Sequence, residues 1–477
     1  MSGILWDSND AAYATGGKNT CDWVAYGVSI DTRTLNQGDI FLAITDNRNG
    51  HDFVAEAFKK GASAAVVSYV PESLNTSKPL LIVEDVYLAL KALAVFARNR
   101  CKGQFIAITG SVGKTSSKDM LAVILSNLGK VSKAEKSFNN HLGVPLTLAR
   151  TAPDSDFAII EIGMSGKEEI GPLSALVRPH IALITDVSEA HLASFKDVKE
   201  IAKEKSDICV GLSENSYCVV SRDTSSYSDL SAYIKKFGVR IISFGENKLS
   251  SYKLVKTVIK NNKTCSTAVL PTGSEFFFKV NTPGTHHAKN ALGIICIVEV
   301  LGMDITKGIF GLSDWSPSTG RGLITNVKFY RQYSIQNFTI IDETYNANPN
   351  SVIAAINVLA NFTPVNDDMN KNGRLRRIAI LGDMLELGSE TNTKHAELID
   401  KLDLTAIDVI HCVGNRMNFF YDKLPNNKKG KWVETVKELS RSLSYLVRDQ
   451  DIIMLKASNT VGLNSLIKEL KSMGTIC

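Results

Sequence analysis

At 477 residues the chain is too long for one ordinary domain, and roughly two to four follow from length alone. Apolar residues at 44% and charged residues at 22% exclude a disordered or fibrous protein. The net charge of +5 is small for this length, and Lys and Arg are scattered, which argues against a nucleic-acid partner and leaves room for a small anionic substrate.

The opening MSGILWDSND has no basic region followed by an apolar stretch and does not read as a signal peptide. Residues 1–100 carry short strands at Ile40–Ala43, Ala64–Val67 and Leu80–Val83 and a helix at Val54–Lys60, between loops rich in Asn, Asp and Gly. From Phe105 the pattern becomes regular. The apolar runs FIAIT (105–109), FAIIEI (157–162) and IALIT (181–185) alternate with helical periodicity such as MLAVILSNL (120–128), as buried parallel strands do. After Arg321-Gly322 the alternation restarts, with strands at 338–342, 378–381, 409–413 and 452–455 and helices near 351–361, 394–401, 433–447 and 463–471. NDDMNKNG (366–373) reads as an exposed loop.

The expected fold class is therefore α/β in three domains: a small α/β domain over 1–100, a central P-loop ATPase-like parallel-sheet domain over 101–322, and a C-terminal Rossmann-like domain over 323–477. The eight cysteines form no C-x-x-C pair and no compact zinc spacing, so they read as reduced, mostly structural thiols. No apolar run approaches the ~20 residues of a membrane span. A cytoplasmic protein is expected.

The chemistry begins at Thr109-Gly110-Ser111-Val112-Gly113-Lys114-Thr115, between a strand and a helix. Glycines let backbone N–H groups face phosphate oxygens, and the helix N-terminus adds positive dipole. Lys114 can reach the outer phosphates, and the Thr115 hydroxyl can ligate Mg²⁺. The loop is the short form G-x-x-G-K-T, with Ile108 where the common pattern has glycine. A plain strand–helix turn is the competing reading.

Ligands of open α/β sheets sit beyond the carboxyl ends of the strands. There the chain places Glu161 at the end of FAIIE, and Asp186 and His191 after IALIT. A carboxylate and an imidazole converging on Mg-nucleotide suit phosphoryl transfer. Singly, Glu161 reads equally as a helix-dipole partner and His191 as a capping or surface residue.

TGSVGKT, the Glu161 strand, the His191 segment and the lysine in AKEKSDI (202–208) resemble the Mur ligase superfamily, which builds the peptide stem of bacterial peptidoglycan and has folylpolyglutamate synthase as a relative. NNHLGVPLTL (139–148), YNANP (345–349), LGDMLELG (381–388) with His395, and GTHHAKNAL (284–292) resemble the branch that joins D-alanyl-D-alanine to UDP-N-acetylmuramoyl-tripeptide. SIDTRTLNQGDIFLAI (29–44) and GHDF (50–53) resemble that branch's substrate-nucleotide domain. The resemblance spans almost the whole chain in order.

The resemblance implies ATP-dependent amide formation through an acyl phosphate, with two Mg²⁺ sites, in a monomer. Gly110, Ser111, Val112, Gly113, Lys114, Thr115 and Ser116 would bind ATP, joined by His286 and Asn290 on the adenine side and by Arg321, Asp342 and Asn346. Thr115, Glu161, His191 and Lys205 would serve the metals, with Lys114, His191 and Lys205 in catalytic roles. Lys205 matches a lysine usually carbamylated in the family; on residue type alone it reads as a surface lysine on a charged helix. Ser29, Asp31, Thr32 and Arg33 would lie near the uridine diphosphate, and Asn139, Asn140, Tyr345 and Asn348 near the remaining substrate. A structural turn competes for any one of the third-domain residues.

Three departures stand out. Lys456-Ala457-Ser458-Asn459 replaces a Lys-Gly-Ser-Arg segment, Asp207 replaces a glutamate, and Thr45-Asp46 falls where glycine is common. The rival readings are another ligase of the superfamily, such as a folylpolyglutamate synthase, and a non-catalytic ATP-binding relative.

Overall fold

The computed structural model describes residues 3–72, 74, 77–189, 194–331, 334–363 and 375–476, and within them three sheets of five or more strands form, each from a continuous stretch of chain, beside a two-stranded pairing of Trp6–Asp7 with Val24–Ala25. The first contains β1 (Lys18–Asn19), β2 (Gly27–Ser29), β3 (Asp39–Leu42), β4 (Ala64–Val67) and β5 (Leu80–Ile82) in the order β1-β5-β4-β3-β2. Only β1 runs antiparallel. Helix α1 (Val86–Arg100) follows, its first turn capped by the Asp85 carboxylate, which accepts the Leu88 N–H at 2.7 Å. Such a cap contributes about 1 kcal/mol.

The central stretch carries β6 (Gln104–Thr109), α2 (Lys114–Ser126), β7 (Val131–Lys133), α3 (Gly143–Ala149), β8 (Phe157–Glu161), β9 (Ile181–Ile184) and α4 (Val198–Ser206). It continues through β10 (Tyr217–Ser221), β11 (Arg240–Gly245), β12 (Tyr252–Lys260), β13 (Lys263–Val269), β14 (Glu275–Val280) and α5 (Thr285–Val300). The nine strands lie in the order β14-β13-β12-β11-β10-β9-β6-β8-β7. Pairing is parallel from β7 to β12 and antiparallel across β12, β13 and β14. Alternate β6 side chains enter opposite cores: Ile106 and Ile108 join α2 and α5, while Phe105 and Ala107 pack on the other face. This two-sided burial is why residues 105–108 are apolar without a break.

The antiparallel ribbon β12–β14 lies outside the sequence expectation. Its strands alternate buried and exposed residues at the edge of the sheet, so YKLVKTVIK carries no continuous apolar run. Helix α3 is buried along its whole length and packs on α1, with Leu146 and Ala149 completing the core under the first sheet. Trp6 reinforces that joint by donating its indole N–H to the Ala149 carbonyl at 2.9 Å.

The third stretch holds β15 (Leu323–Arg331), β16 (Ser334–Glu343), α6 (Pro349–Asn361), β17 (Arg377–Gly382), α7 (Thr391–Glu397), β18 (Val409–Val413), β19 (Lys429–Val433), β20 (Ile452–Lys456) and β21 (Thr475–Ile476). The order is β19-β18-β17-β20-β16-β15-β21, parallel from β19 to β16 and antiparallel beyond. The expected loop at 366–373 lies outside the described residues. The described cysteines are free, and Cys101, Cys209, Cys218, Cys296 and Cys412 are buried among apolar neighbours. Among the described residues, no helix is long and apolar enough to cross a membrane.

Candidate active site

The phosphate loop leaves β6 in the interior of the central sheet, between β8 and β9. The segment after β9 staples it. The Ser111 N–H donates to the Asp186 carbonyl at 2.9 Å, and the Ser111 hydroxyl donates to the Ser188 carbonyl at 3.0 Å while accepting the Ser188 N–H. Two glycines are required here. A Cβ on Gly110 would meet the Thr185 hydroxyl at 1.9 Å, and one on Gly113, whose φ is +84°, would meet the Asn290 side chain at 2.7 Å. Lys114 Nζ donates to the Gly110 carbonyl at 2.6 Å, curling over the loop. Burial pulls this ammonium below the usual lysine range, Glu161 opposes the shift, and Arg321 adds to it.

Register places Glu161 opposite Ile108, one strand over from the loop. Its carboxylate is buried and fully engaged: Oε2 accepts the Thr115 hydroxyl at 2.8 Å, and Oε1 accepts the Asn139 amide at 2.7 Å. Lys118, one helical turn beyond Lys114, brings Nζ to 3.9 Å from the same carboxylate and donates to the Ala134 and Lys136 carbonyls. A buried carboxylate beside a hydroxyl supplies the hard oxygen donors that suit Mg²⁺.

The third stretch closes the other side of a cavity of about 520 Å³. Arg321 reaches across to bond the Ser137 hydroxyl at 2.9 Å, and that hydroxyl is 2.8 Å from Thr115 Oγ1. The Arg321 guanidinium lies 3.7 Å from the centre of the Tyr345 ring, which fixes its plane. Lys456, at the end of β20, is buried, donates to the Asn346 carbonyl at 3.0 Å and pairs with Glu343 at 3.5 Å. Burial pushes Glu343 up and Lys456 down, and their mutual attraction opposes both shifts. Asn346 and Asn348 line the same cavity. Asn348 also caps α6, accepting the Ser351 N–H while the Ser351 hydroxyl accepts the Asn348 N–H, with Pro349 in the first turn.

From the central stretch, Ser111, Val112, Ser116 and Asn140 line the cavity too. So do His286 and Asn290 on the first turns of α5. Burial brings His286 down to about 4, with Lys456 adding to the shift, so its ring is neutral at pH 7. Asp342 stands apart. It is buried behind the wall, where its carboxylate accepts the N–H of Gly320 at 3.0 Å and the Thr344 hydroxyl at 2.7 Å.

Comparison with known proteins now bears on this geometry. Residues 108–298 match the Mur ligase middle domain, and residues 329–459 match the Mur ligase glutamate ligase domain. The UDP-N-acetylmuramoyl-tripeptide–D-alanyl-D-alanine ligase of Rickettsia prowazekii is 32% identical over 97% of this chain and 99% of its own length. The enzyme of the same name from Escherichia coli is 30% identical, covering 94% of each chain. The chain belongs to the Mur ligases. A crystal structure of MurF from Acinetobacter baumannii superposes with a TM-score of 0.80 at 25% identity, covering 98% of this chain and 99% of that one.

The remaining positions that the Mur ligase resemblance singled out are placed less uniformly. His191 lies outside the described residues. Lys205 lies on α4, 1% exposed, with Nζ 3.9 Å from the sulfur of Met164, which itself lines the cavity. Burial holds its amine well below the usual lysine range, and Lys114 adds to the shift. Its neighbour Glu204 anchors the helix by accepting the N–H groups of Glu168, Glu169 and Ile170 at 2.7–2.9 Å. Those donors open the helix Ile170–Val177, so Glu204 acts as a remote cap.

Ser29, Asp31, Thr32 and Arg33 line neither this cavity nor a second one, of about 360 Å³, between the first and central sheets. They form a turn closed on itself. The Ser29 hydroxyl donates to the Asp31 carbonyl at 3.1 Å, and Arg33 chelates the Asp31 carboxylate at 2.7–3.1 Å with its side chain 85% exposed. The Arg33 hydrogen bond holds Asp31 below the usual carboxylate range, and Lys136 of the central stretch adds to it.

Sequence reasoning missed Ser137, Lys118 and Glu343. The spacing of Lys118 four residues after Lys114 on one helix was a usable signal. Ser137 and Glu343 had none, because their partners are distant in sequence.

Proposed function

We propose that this Mur ligase joins D-alanyl-D-alanine to UDP-N-acetylmuramoyl-tripeptide at the expense of ATP, in peptidoglycan synthesis. The observation that carries this reading is the Thr115–Glu161–Asn139 cluster, which faces Arg321 across one cavity beside the phosphate loop. The β- and γ-phosphates lie on the N-terminus of α2, where backbone N–H groups, Lys114 and Arg321 neutralise them. Glu161 and Thr115 would hold one Mg²⁺, and bound there it would supply positive charge to the phosphates. A second Mg²⁺ site at His191 and Lys205 belongs to the same reading. Burial favours the uncharged form of the Lys205 amine, which is the nucleophilic form that carbamate formation needs.

The terminal carboxylate of the tripeptide attacks the γ-phosphorus and ADP leaves, giving an acyl phosphate. The amine of D-alanyl-D-alanine attacks the acyl carbon, phosphate leaves, the nitrogen loses a proton, and the amide remains. Both early reactants are anions, so the cations fixed around the cavity lower the barrier to their approach. Asn139 holds Glu161, and the Tyr345 ring holds Arg321, so that neither must reorganise during the reaction. Tyr345, Asn348 and Asn140 face the acceptor and the peptide, Asn346 faces the nucleotide, and the neutral His286 with Asn290 faces the adenine. Asp342 acts through the Gly320 turn that carries Arg321. Ser29, Asp31, Thr32 and Arg33 receive the uridine diphosphate. Domain boundaries at residues 100 and 322, a monomeric state and a cytoplasmic location complete the proposal.

The test is phosphate release by the purified chain with ATP, Mg²⁺, the UDP-tripeptide and a panel of amine acceptors. Release should require D-alanyl-D-alanine and yield one amide per phosphate. Release that is independent of the dipeptide, or stimulated by glutamate instead, overturns the reading.

A further inference from the structure

An ion pair outside the phosphate cavity joins the central and third stretches. Lys394 on α7 places Nζ 2.6 Å from Glu189 Oε2, just beyond β9, with Glu390 at 3.5 Å on the same turn. The Lys394 side chain is 10% exposed and that of Glu189 is 46% exposed. Burial alone would depress the lysine, yet the two carboxylates raise it above its ordinary value.

The neighbours of these two residues give the pair its meaning. Ser188, next to Glu189, is one of the groups that staple the phosphate loop through Ser111. His395, next to Lys394, accepts the Met384 N–H at its Nε2 at 3.0 Å, while its Nδ1 lies 2.7 Å from the Thr391 carbonyl. His395 is completely buried, so α7 and the segment Asp383–Leu387 form one body. Two further bonds fix that segment: Asp383 accepts the Met417 N–H at 2.8 Å, and Leu385 donates its N–H to the Ser458 hydroxyl at 2.8 Å. Glu386 sits on this body in the left-handed region, with φ +66°, and its negative charge acts on Lys114. One end of the ion pair is thus one residue from a bond to the phosphate loop, and the other is one residue from a bond within the body that carries Glu386, whose charge acts on Lys114.

We propose that Glu189 and Lys394 are positioning residues of the ligation reaction: their ion pair holds the Asp383–Leu387 segment of the third stretch against the phosphate loop, and so sets the population of the closed, reactive arrangement. Neither residue touches substrate. The proposal rests on the ligase reading. It also explains why a lysine with little solvent contact faces a carboxylate from another part of the chain rather than open water. Because the Glu189 end is partly solvated and Glu390 stays beside Lys394, the pair can break without leaving a charge stranded in an apolar core.

The experiment compares Glu189→Lys, Lys394→Glu and the doubly exchanged protein with the unmodified chain. Each single reversal should lower kcat/KM for D-alanyl-D-alanine by about fivefold to tenfold, with the dissociation constant of ADP changed by less than about twofold. The exchanged pair should recover to within about threefold of the unmodified rate, since the attraction is restored with its direction reversed. Small-angle scattering supplies a readout independent of turnover: compaction on adding ADP and the UDP-tripeptide should be reduced in each single variant and restored in the exchange. An exchanged protein no better than the worse single variant in both readouts overturns the proposal, as do single variants with unchanged rate and compaction. Failure of the unmodified chain to ligate counts against the ligase reading, and the scattering comparison then still decides the role of the pair.

Discussion

The phosphate cavity and the Ser29–Arg33 segment both follow parallel strands, and they are built in opposite ways. In the cavity three charged side chains are held by residues far from them in sequence: Glu161 by Thr115 and Asn139, Arg321 by Ser137 and Tyr345, Lys456 by Glu343. In the front segment Arg33 pairs with Asp31 two residues away, and its side chain is almost wholly in solvent. The cavity is preorganised before any ligand arrives, whereas in the proposed reaction the front segment would exchange an internal ion pair for the uridine diphosphate. Substitutions in the first should therefore alter turnover, and in the second chiefly substrate affinity.

The largest effect is expected for Lys114→Met. Turnover measured by phosphate release should drop about 10³-fold or more, because no other side chain replaces its charge on the outer phosphates. Its thermal midpoint should hold or rise, since a desolvated cation is removed. Retained turnover within tenfold would sink the assignment of this cavity to phosphate. Next, Arg321→Ala should cost about 10²-fold in turnover by removing a cation positioned at the developing charge. Glu161→Gln preserves shape while removing charge, so the Mg²⁺ concentration for half-maximal rate should rise at least about tenfold. Arg33→Ala provides the contrast. The KM for the UDP-tripeptide should rise about tenfold with turnover unchanged, and the urea unfolding midpoint should stay where it is, as expected for an exposed pair. A turnover defect in that variant would break the comparison.

The smallest effect lies outside both regions and serves as a control. His411 is buried in β18 and accepts the Lys431 N–H at Nδ1, and burial brings it down to about 4 from an ordinary 6.5. The unfolded chain therefore takes up a proton between these values that the folded chain refuses. This contribution to stability is complete above pH 6.5 and is lost as pH falls toward 4. His411→Gln should flatten the difference between urea unfolding at pH 7 and at pH 5 without changing turnover at pH 7.

The parallel strands were legible because burial on both faces leaves continuous apolar runs, and β4, β6, β8, β9 and β20 begin and end within a residue or so of where those runs place them. The edge ribbon β12–β14 and strand β15 were not, because half-exposed strands mix polar and apolar residues as loops do. In the site, Lys114 and Thr115 announced themselves through a loop whose chemistry is local. Lys205 did not. On residue type it belongs on a charged surface, and its complete burial follows from the way Glu204 docks α4 on the neighbouring helix.

What the sequence by itself determined was the succession of α/β segments, the phosphate loop with its two obligatory glycines, and the family to which its motifs belong. These depend on local periodicity, on backbone φ and on residue order, all written in adjacent positions. Only the tertiary structure decided that Ser137 links Thr115 to Arg321, that Asp342 supports a turn behind the wall, and that Glu189 meets Lys394. Those contacts join residues as many as 205 positions apart. Nothing in the chemistry of either partner names the other until packing brings them together.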